Sequence, residues 1–84
     1  MEEKLIGKIT HYYDKINVAI VELKATLKVG DKIHIKGHST DFEQIVSSMQ
    51  IEHQNIETAK KGDIIGLQVE QKAKEGDEVY LAQE

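Results

Sequence analysis

The chain has no cysteine and no arginine, so any chemistry falls to its histidines, tyrosines, carboxylates, hydroxyls and lysines. The densest grouping of these is His11-Tyr12-Tyr13-Asp14-Lys15, with two of the three tyrosines beside a histidine and a lysine. Successive side chains of a strand point to opposite faces, so at least one of the two tyrosines must look away from the core if the strand runs through them. An outward tyrosine next to Lys15 offers a stacking face and a phosphate partner, the combination that single-stranded RNA binding uses. The competing reading is structural: one tyrosine closes the end of a small core and the other lies over lysine stems. His11, Tyr12, Tyr13 and Lys15 are the candidate binding surface.

Other groups carry weaker signals. His11, His34, His38 and His53 raise the question of a metal, but zinc needs three or four ligands converging at about 2 Å, and no local spacing supplies that. They read as surface histidines, with His34 projecting outward from a strand, and no metal or cofactor is expected. Ser39-Thr40-Asp41 and Ser47-Ser48, with His38 adjacent, contain the atoms of a hydrolytic triad. Neighbours within one loop rarely meet a triad's geometry, and the same residue types bond the backbone where a chain leaves a strand. Lys60-Lys61 and Lys72/Lys74 read as solvated turns. No catalytic residue is assigned, and the chain is not expected to be an enzyme.

These side chains are positioned by a regular alternation of turns and strands. Gly30-Asp31, Gly62-Asp63 and Gly76-Asp77 each follow a lysine-containing step and precede an apolar run. Glycine tolerates the positive φ of a tight turn, and aspartate can bond nearby backbone. Strands are expected over 5–13, with Gly7 as a bend, and over 17–24, 31–37, 64–70 and 78–82. In 17–24, Val18 and Ile20 lie on one face and Ala19, Val21 and Leu23 on the other, which predicts a central strand covered on both sides. Phe42, Ile45, Val46 and Met49 fall at helical spacing behind a Thr40/Glu43 capping pattern, whereas alternation supports a strand, so residues 42–51 are open between the two.

With 84 residues, the chain has room for one hydrophobic core, and 1–84 is treated as a single domain. Apolar residues make up 39% and aromatics only 5%, so Ile, Val and Leu must build that core. The net charge of −4, with every basic residue a lysine, argues against gripping duplex DNA through its backbone. The longest apolar run, 16–23, is far short of the roughly 20 residues of a membrane span. The acidic start Met1-Glu2-Glu3-Lys4 is unlike a secretory signal. No membrane association is expected, and the expected location is cytoplasmic.

The stretch Thr26-Leu27-Lys28-Val29-Gly30-Asp31-Lys32-Ile33 with His34-Ile35-Lys36-Gly37, then Ala59-Lys60-Lys61-Gly62-Asp63-Ile64-Ile65-Gly66-Leu67, then Glu75-Gly76-Asp77-Glu78-Val79, resembles in order and spacing the second domain of translational GTPases such as elongation factor Tu. The resemblance spans residues 5–82. It also extends to the non-catalytic barrel appended to collagenase-like peptidases. It implies an all-β fold, a small closed six-stranded antiparallel β-barrel with Greek-key connections, in which 42–51 is a strand. Closure would also leave no bare sheet edges. Two departures stand out. Ile20-Val21 occupies the place of a Gly-Arg pair common in translation factors. No Gly-x-x-x-x-Gly-Lys-Ser/Thr loop is present, and Asp14-Lys15-Ile16-Asn17 has the residues of a guanine-reading motif in the wrong order. GTP binding is therefore not expected. The resemblance implies a non-catalytic binding module contacting RNA, tRNA or the ribosome; the alternative is a protein–protein adaptor that shares only the fold.

Overall fold

The computed structural model describes residues 2–83, without the side chains of Glu2 and Gln83. The described residues contain strands and turns and no helix, so none could cross a membrane as a helix. The strands are β1 (Glu2–Tyr13), β2 (Val18–Leu23), β3 (Leu27–Lys28), β4 (Lys32–Lys36), β5 (Asp41–Ile45), β6 (Met49–Ile51), β7 (Gln54–Ile56), β8 (Thr58–Ala59), β9 (Ile64–Gln68) and β10 (Glu78–Gln83). Eight of them form one antiparallel sheet in the order β5-β4-β10-β1-β2-β9-β6-β7, and β3 pairs with β8 in a separate ribbon.

The three Gly-Asp steps prove to be one device used three times. Lys28-Val29-Gly30-Asp31, Lys60-Lys61-Gly62-Asp63 and Lys74-Glu75-Gly76-Asp77 each place glycine at φ between 94° and 98°, where a side chain would be strained. In each, the aspartate carboxylate accepts from the lysine N–H, at 2.9, 2.9 and 2.8 Å. Each turn then docks on one buried apolar residue. Gly30 N–H donates to the Val46 carbonyl while Val46 N–H donates to Asp31. Gly62 and Asp63 hold Leu23 in the same way, and Gly76 and Asp77 hold Ile9. Backbone that would otherwise be buried unpaired is thus satisfied at three points of the wall.

β1 serves two partners because two irregularities bend it. Its first half pairs with β10, with a shift between Leu5 and Gly7, and its second half pairs with β2, with a shift between Ile9 and His11. Such bulges bend a strand and increase its twist. At Gly7 the neighbouring strand comes so close that a Cβ would lie 2.7 Å from Val21 Cγ1 and 3.1 Å from the Glu22 carbonyl oxygen. The inward residues Ile6, Ile9, Ala19, Val21, Ile33, Ile35, Leu67 and Val79 form the centre of the core.

The expected ring of six strands is not what forms. Among the described residues the ladder has eight strands and does not close through backbone pairing. It nevertheless curls round on itself. β5 and β9 stand five places apart in the order, about 24 Å in a flat sheet, yet the buried Gln44 of β5 donates to the Gln68 carbonyl at 2.9 Å and accepts from Glu70 N–H at 2.8 Å. One side-chain amide therefore makes, across the seam, the donor–acceptor pair that a ladder rung would make.

Residues 42–51 are extended, in two pieces. Phe42, Gln44 and Val46 point inward, the chain skips phase through 47–48, and Met49 points inward again. That skip, rather than burial on two sides, produces the helix-like spacing, because Ile45 is 51% exposed. The expectation of a doubly covered β2 also needs correction: Ala19, Val21 and Leu23 enter the core, but Val18 and Ile20 lie half-buried on the outer face with no layer of the described residues over them.

Candidate functional site

Two outer-surface regions concentrate side chains. The first is apolar. The register sets Tyr13 of β1 opposite Val18 of β2 and His11 opposite Ile20, and it sets Ile20 opposite Gly66 of β9. Gly66 has no side chain to fill the surface, so a groove of about 290 Å³ opens there. Val18, Ile20, Ile65 and Gly66 line it along β2 and β9, with Tyr13 and Ile16 on the β1 side and Ile64, Gln50, Glu52 and His53 on the side of β9 and the β6–β7 hairpin. Ile16, Ile64 and Tyr13 are 62%, 57% and 47% exposed. The Glu52-His53 tip of the β6–β7 hairpin has φ of 52° and 65°, the paired positive values of a type I′ turn, which neither residue adopts without strain.

The four residues singled out in the sequence separate here. Tyr13 faces outward, and its ring meets the His11 ring edge-on, 4.5 Å between centroids. Tyr12 turns the other way, packs against the core and reaches Asn17 Oδ1 through its hydroxyl at 3.3 Å. The bulge at Thr10 sets this arrangement, since it shifts the strand's phase just before the tyrosines. Lys15 lies in the exposed turn after β1 and, with Tyr12, Tyr13, Asp14 and Ile16, borders a second, shallower depression adjoining the groove. Ile16, Val18, Ile20 and Ile64 were missed. The available signal was the apolar residues on both faces of β2 and the adjacent pair Ile64-Ile65, only one of which can face inward.

The second region is ionic and lies on the outer face of β1, β10, β4 and β5. His34 is 15% exposed at its side chain and is held from both sides: Nδ1 is 2.5 Å from Glu3 Oε2, and Nε2 pairs with Asp41. Lys36 donates to the other Glu3 oxygen at 2.8 Å and sits 5.4 Å from the centre of the Tyr80 ring. Burial disfavours the charged imidazole, but the bonds to Asp41 and Glu3 together outweigh it, so the His34 pKa stands above its ordinary value. Hydrogen bonds from Lys36 and then His34 lower that of Glu3, and the Glu3 bond raises that of Lys36. Tyr80 is raised chiefly by its bond to Glu78. Three of the four histidines are exposed, as expected; His34 projects outward as expected but into this cluster.

Nothing in either region assembles a nucleophile. Among the described residues no hydrogen bond joins a serine or threonine hydroxyl to a histidine, and the Asp41 carboxylate is engaged with His34. Thr40 is buried at the β4–β5 turn, where its carbonyl accepts from Gly37 N–H.

No family model matches the chain. It is 45% identical over 80 residues to an uncharacterized protease of Methanocaldococcus jannaschii, an alignment that takes in 94% of this chain and 20% of that protein. It is 32% identical over 81 residues to a collagenase of Porphyromonas gingivalis, covering 94% of this chain and 22% of that one. The chain thus spans about a fifth of the length of the curated relatives it matches. Two crystal structures of the C-terminal domain of a candidate U32 peptidase from Geobacillus thermoleovorans share its fold, with TM-scores of 0.85 and 0.89 at 16% identity. They cover 90% and 95% of this chain, and 96% and 93% of their own. These similarities agree with the resemblance to the barrel of collagenase-like peptidases and lend nothing to the one with elongation factor Tu.

Proposed function

We propose that this chain is a non-catalytic docking module whose outer groove over β2 receives a protein surface, that of the peptidase portion of a U32-type, collagenase-like protein. The observation that carries the reading is the uncovered apolar face: Tyr13, Ile16 and Ile64, each about half exposed or more, stand around a floor of Val18, Ile20 and Gly66. Exposed apolar residues gathered into one concave patch mark interaction surfaces, whereas scattered ones do not. β2 carries the apolar residues of a strand covered on both sides, and this chain supplies one cover. The matched region makes up only about a fifth of each relative, and on this reading a surface from the remaining four fifths of such a protein provides the other cover. A groove of this size would form the centre of a larger contact, with aromatic and aliphatic anchors surrounded by polar residues such as Gln50 and Glu52.

RNA, tRNA or the ribosome remains the competing partner through Tyr13 and Lys15. The groove's apolar lining, the absence of arginine and the acidic balance favour protein over phosphate. An NMR titration separates the two. The labelled chain is mixed with the Methanocaldococcus jannaschii protease lacking its 80 matched residues, and separately with unmodified tRNA. Shifts at Ile16, Ile20, Ile64 and Gly66 with the protease portion support the docking reading. Salt-sensitive shifts at Tyr12, Tyr13 and Lys15 with tRNA, and none with protein, overturn it.

A further inference from the structure

The ionic cluster over β1, β10, β4 and β5 has a second capacity. Glu3 of β1, His34 of β4 and Glu43 of β5 each offer one ligand atom, and the three atoms lie within 4.8 Å of one another. All three side chains stand on strands, and the ladder fixes their relation: His34 and Glu43 are directly opposite across the β4–β5 pair, while Glu3 arrives over β10. From this geometry we infer that Glu3, His34 and Glu43 form a binding site for a divalent first-row transition-metal ion, with zinc as the representative.

The donor set decides the class of ion. One imidazole nitrogen with two carboxylate oxygens suits zinc, nickel, cobalt or manganese; calcium and magnesium select oxygen donors. Ligands of a tetrahedral zinc at about 2.0–2.1 Å stand roughly 3.3 Å apart, so the Nδ1–Glu3 contact must open slightly and Glu43 must swing in. Glu43 can do so because Lys32, its neighbour on β4, holds it only at 3.9 Å and is itself exposed at 40%. The ion would replace the proton between His34 Nδ1 and Glu3 and repel the Lys36 ammonium, which would leave Glu3 for solvent while Glu3 stays on the ion. His34 Nε2 would keep its bond to Asp41, the arrangement in which a carboxylate behind a ligand histidine fixes the ring and strengthens it as a donor. Three protein ligands leave one position for water. The sequence did not reveal this site because its members lie 31 and 9 residues apart and meet only through strand register.

The test uses the 84-residue chain, first stripped with chelator and then titrated with zinc chloride, read by calorimetry and by the histidine ring resonances. Expected are one saturable equivalent and ring shifts confined to His34, with His11, His38 and His53 unmoved. His34→Asn should abolish the saturable heat, and Glu43→Gln should weaken affinity by about tenfold or more, in the range seen when a ligand or its support is lost. The ring resonances of the unaltered chain keep the inference falsifiable even if a variant unfolds. Absence of saturable binding up to millimolar zinc overturns it. So do shifts at the other histidines with His34 still, or undiminished affinity in a folded Glu43→Gln chain.

Discussion

Replacing Gly37 with alanine should be among the most damaging single-methyl additions in this chain, and the reason is one carboxylate. Gly37 ends the β4 side of the β4–β5 connection, and a Cβ there would lie 1.8 Å from Asp77 Oδ1 and 2.4 Å from Asp77 Cγ. Asp77 is 4% exposed and accepts from Lys74 N–H at 2.8 Å in the third Lys-x-Gly-Asp turn. The carboxylate therefore cannot step aside without giving up that bond. Overpacking of this kind costs about 1–3 kcal/mol, and a hydrogen bond to a charged group is worth about 1.5–3 kcal/mol. The two losses overlap, and Gly37→Ala is expected to lower stability by about 3 kcal/mol. Asp77→Ala alone loses the bond but not the packing, at about 2 kcal/mol. In the double variant the clash has no partner, so the two costs should fall short of additivity by about 1–2 kcal/mol. Urea unfolding followed by far-ultraviolet circular dichroism measures all four corners of the cycle. A Gly37→Ala chain within half a kcal/mol of the parent, or strictly additive costs, would refute the reasoning.

Three further outcomes follow from the same structure. Ile35→Ala should cost about 2–4 kcal/mol because Ile35 is fully buried, whereas Val18→Ala on the outer face should cost about 1 kcal/mol or less; equal costs in urea titrations would mean the inward face of β2 is misassigned. With chelator present, the contribution of His34 should be complete below its ordinary pKa of 6.5 and fade as pH rises through its raised folded value, since a raised pKa stabilises only while the proton is bound. That of Glu3, whose pKa is lowered, should instead be complete above its ordinary 4.5 and fade only in stronger acid. The melting temperature should therefore decline on the alkaline side, and His34→Asn should flatten that limb; an unchanged limb would contradict the assignment. Converting Glu52-His53 to Asn-Gly should raise stability by about 1 kcal/mol by relieving two positive φ values, and a fall in melting temperature would show that the tip is held by contacts rather than strained.

Much of the wall was legible in the residues themselves. The three Gly-Asp steps announced turns, and alternation announced strands at 31–37 and 64–70, because one buried face imposes a period of two. Residues that depend on register were not legible. Gln44 reads as an ordinary polar residue in a strand, and only the curl of the sheet turns it into the link between β5 and β9. The eight-strand ladder was hidden for the same reason: β1 looks like one strand, and its bulges at Leu5/Gly7 and Ile9/His11 let it serve two neighbours. At the groove, the sequence singled out Tyr13, which lines it, and Lys15, which borders the depression beside it. Ile64 and Gly66 are brought there by a strand some 50 residues downstream, and no local pattern pairs them with Ile20.

The docking claim stands most directly on Ile64, which is 57% exposed and contributes to the groove wall without entering the core. Ile64→Glu should leave the unfolding free energy within about 0.5 kcal/mol of the parent, as surface changes do. Calorimetric titration of this variant and of the parent with the Methanocaldococcus jannaschii protease lacking its matched 80 residues is the decisive comparison. A parent that binds, with affinity reduced by about tenfold or more in the folded variant, is the predicted result, since a charge at the centre of an apolar contact must be desolvated. Equal affinity for the two chains, or no binding by the parent, would contradict the account.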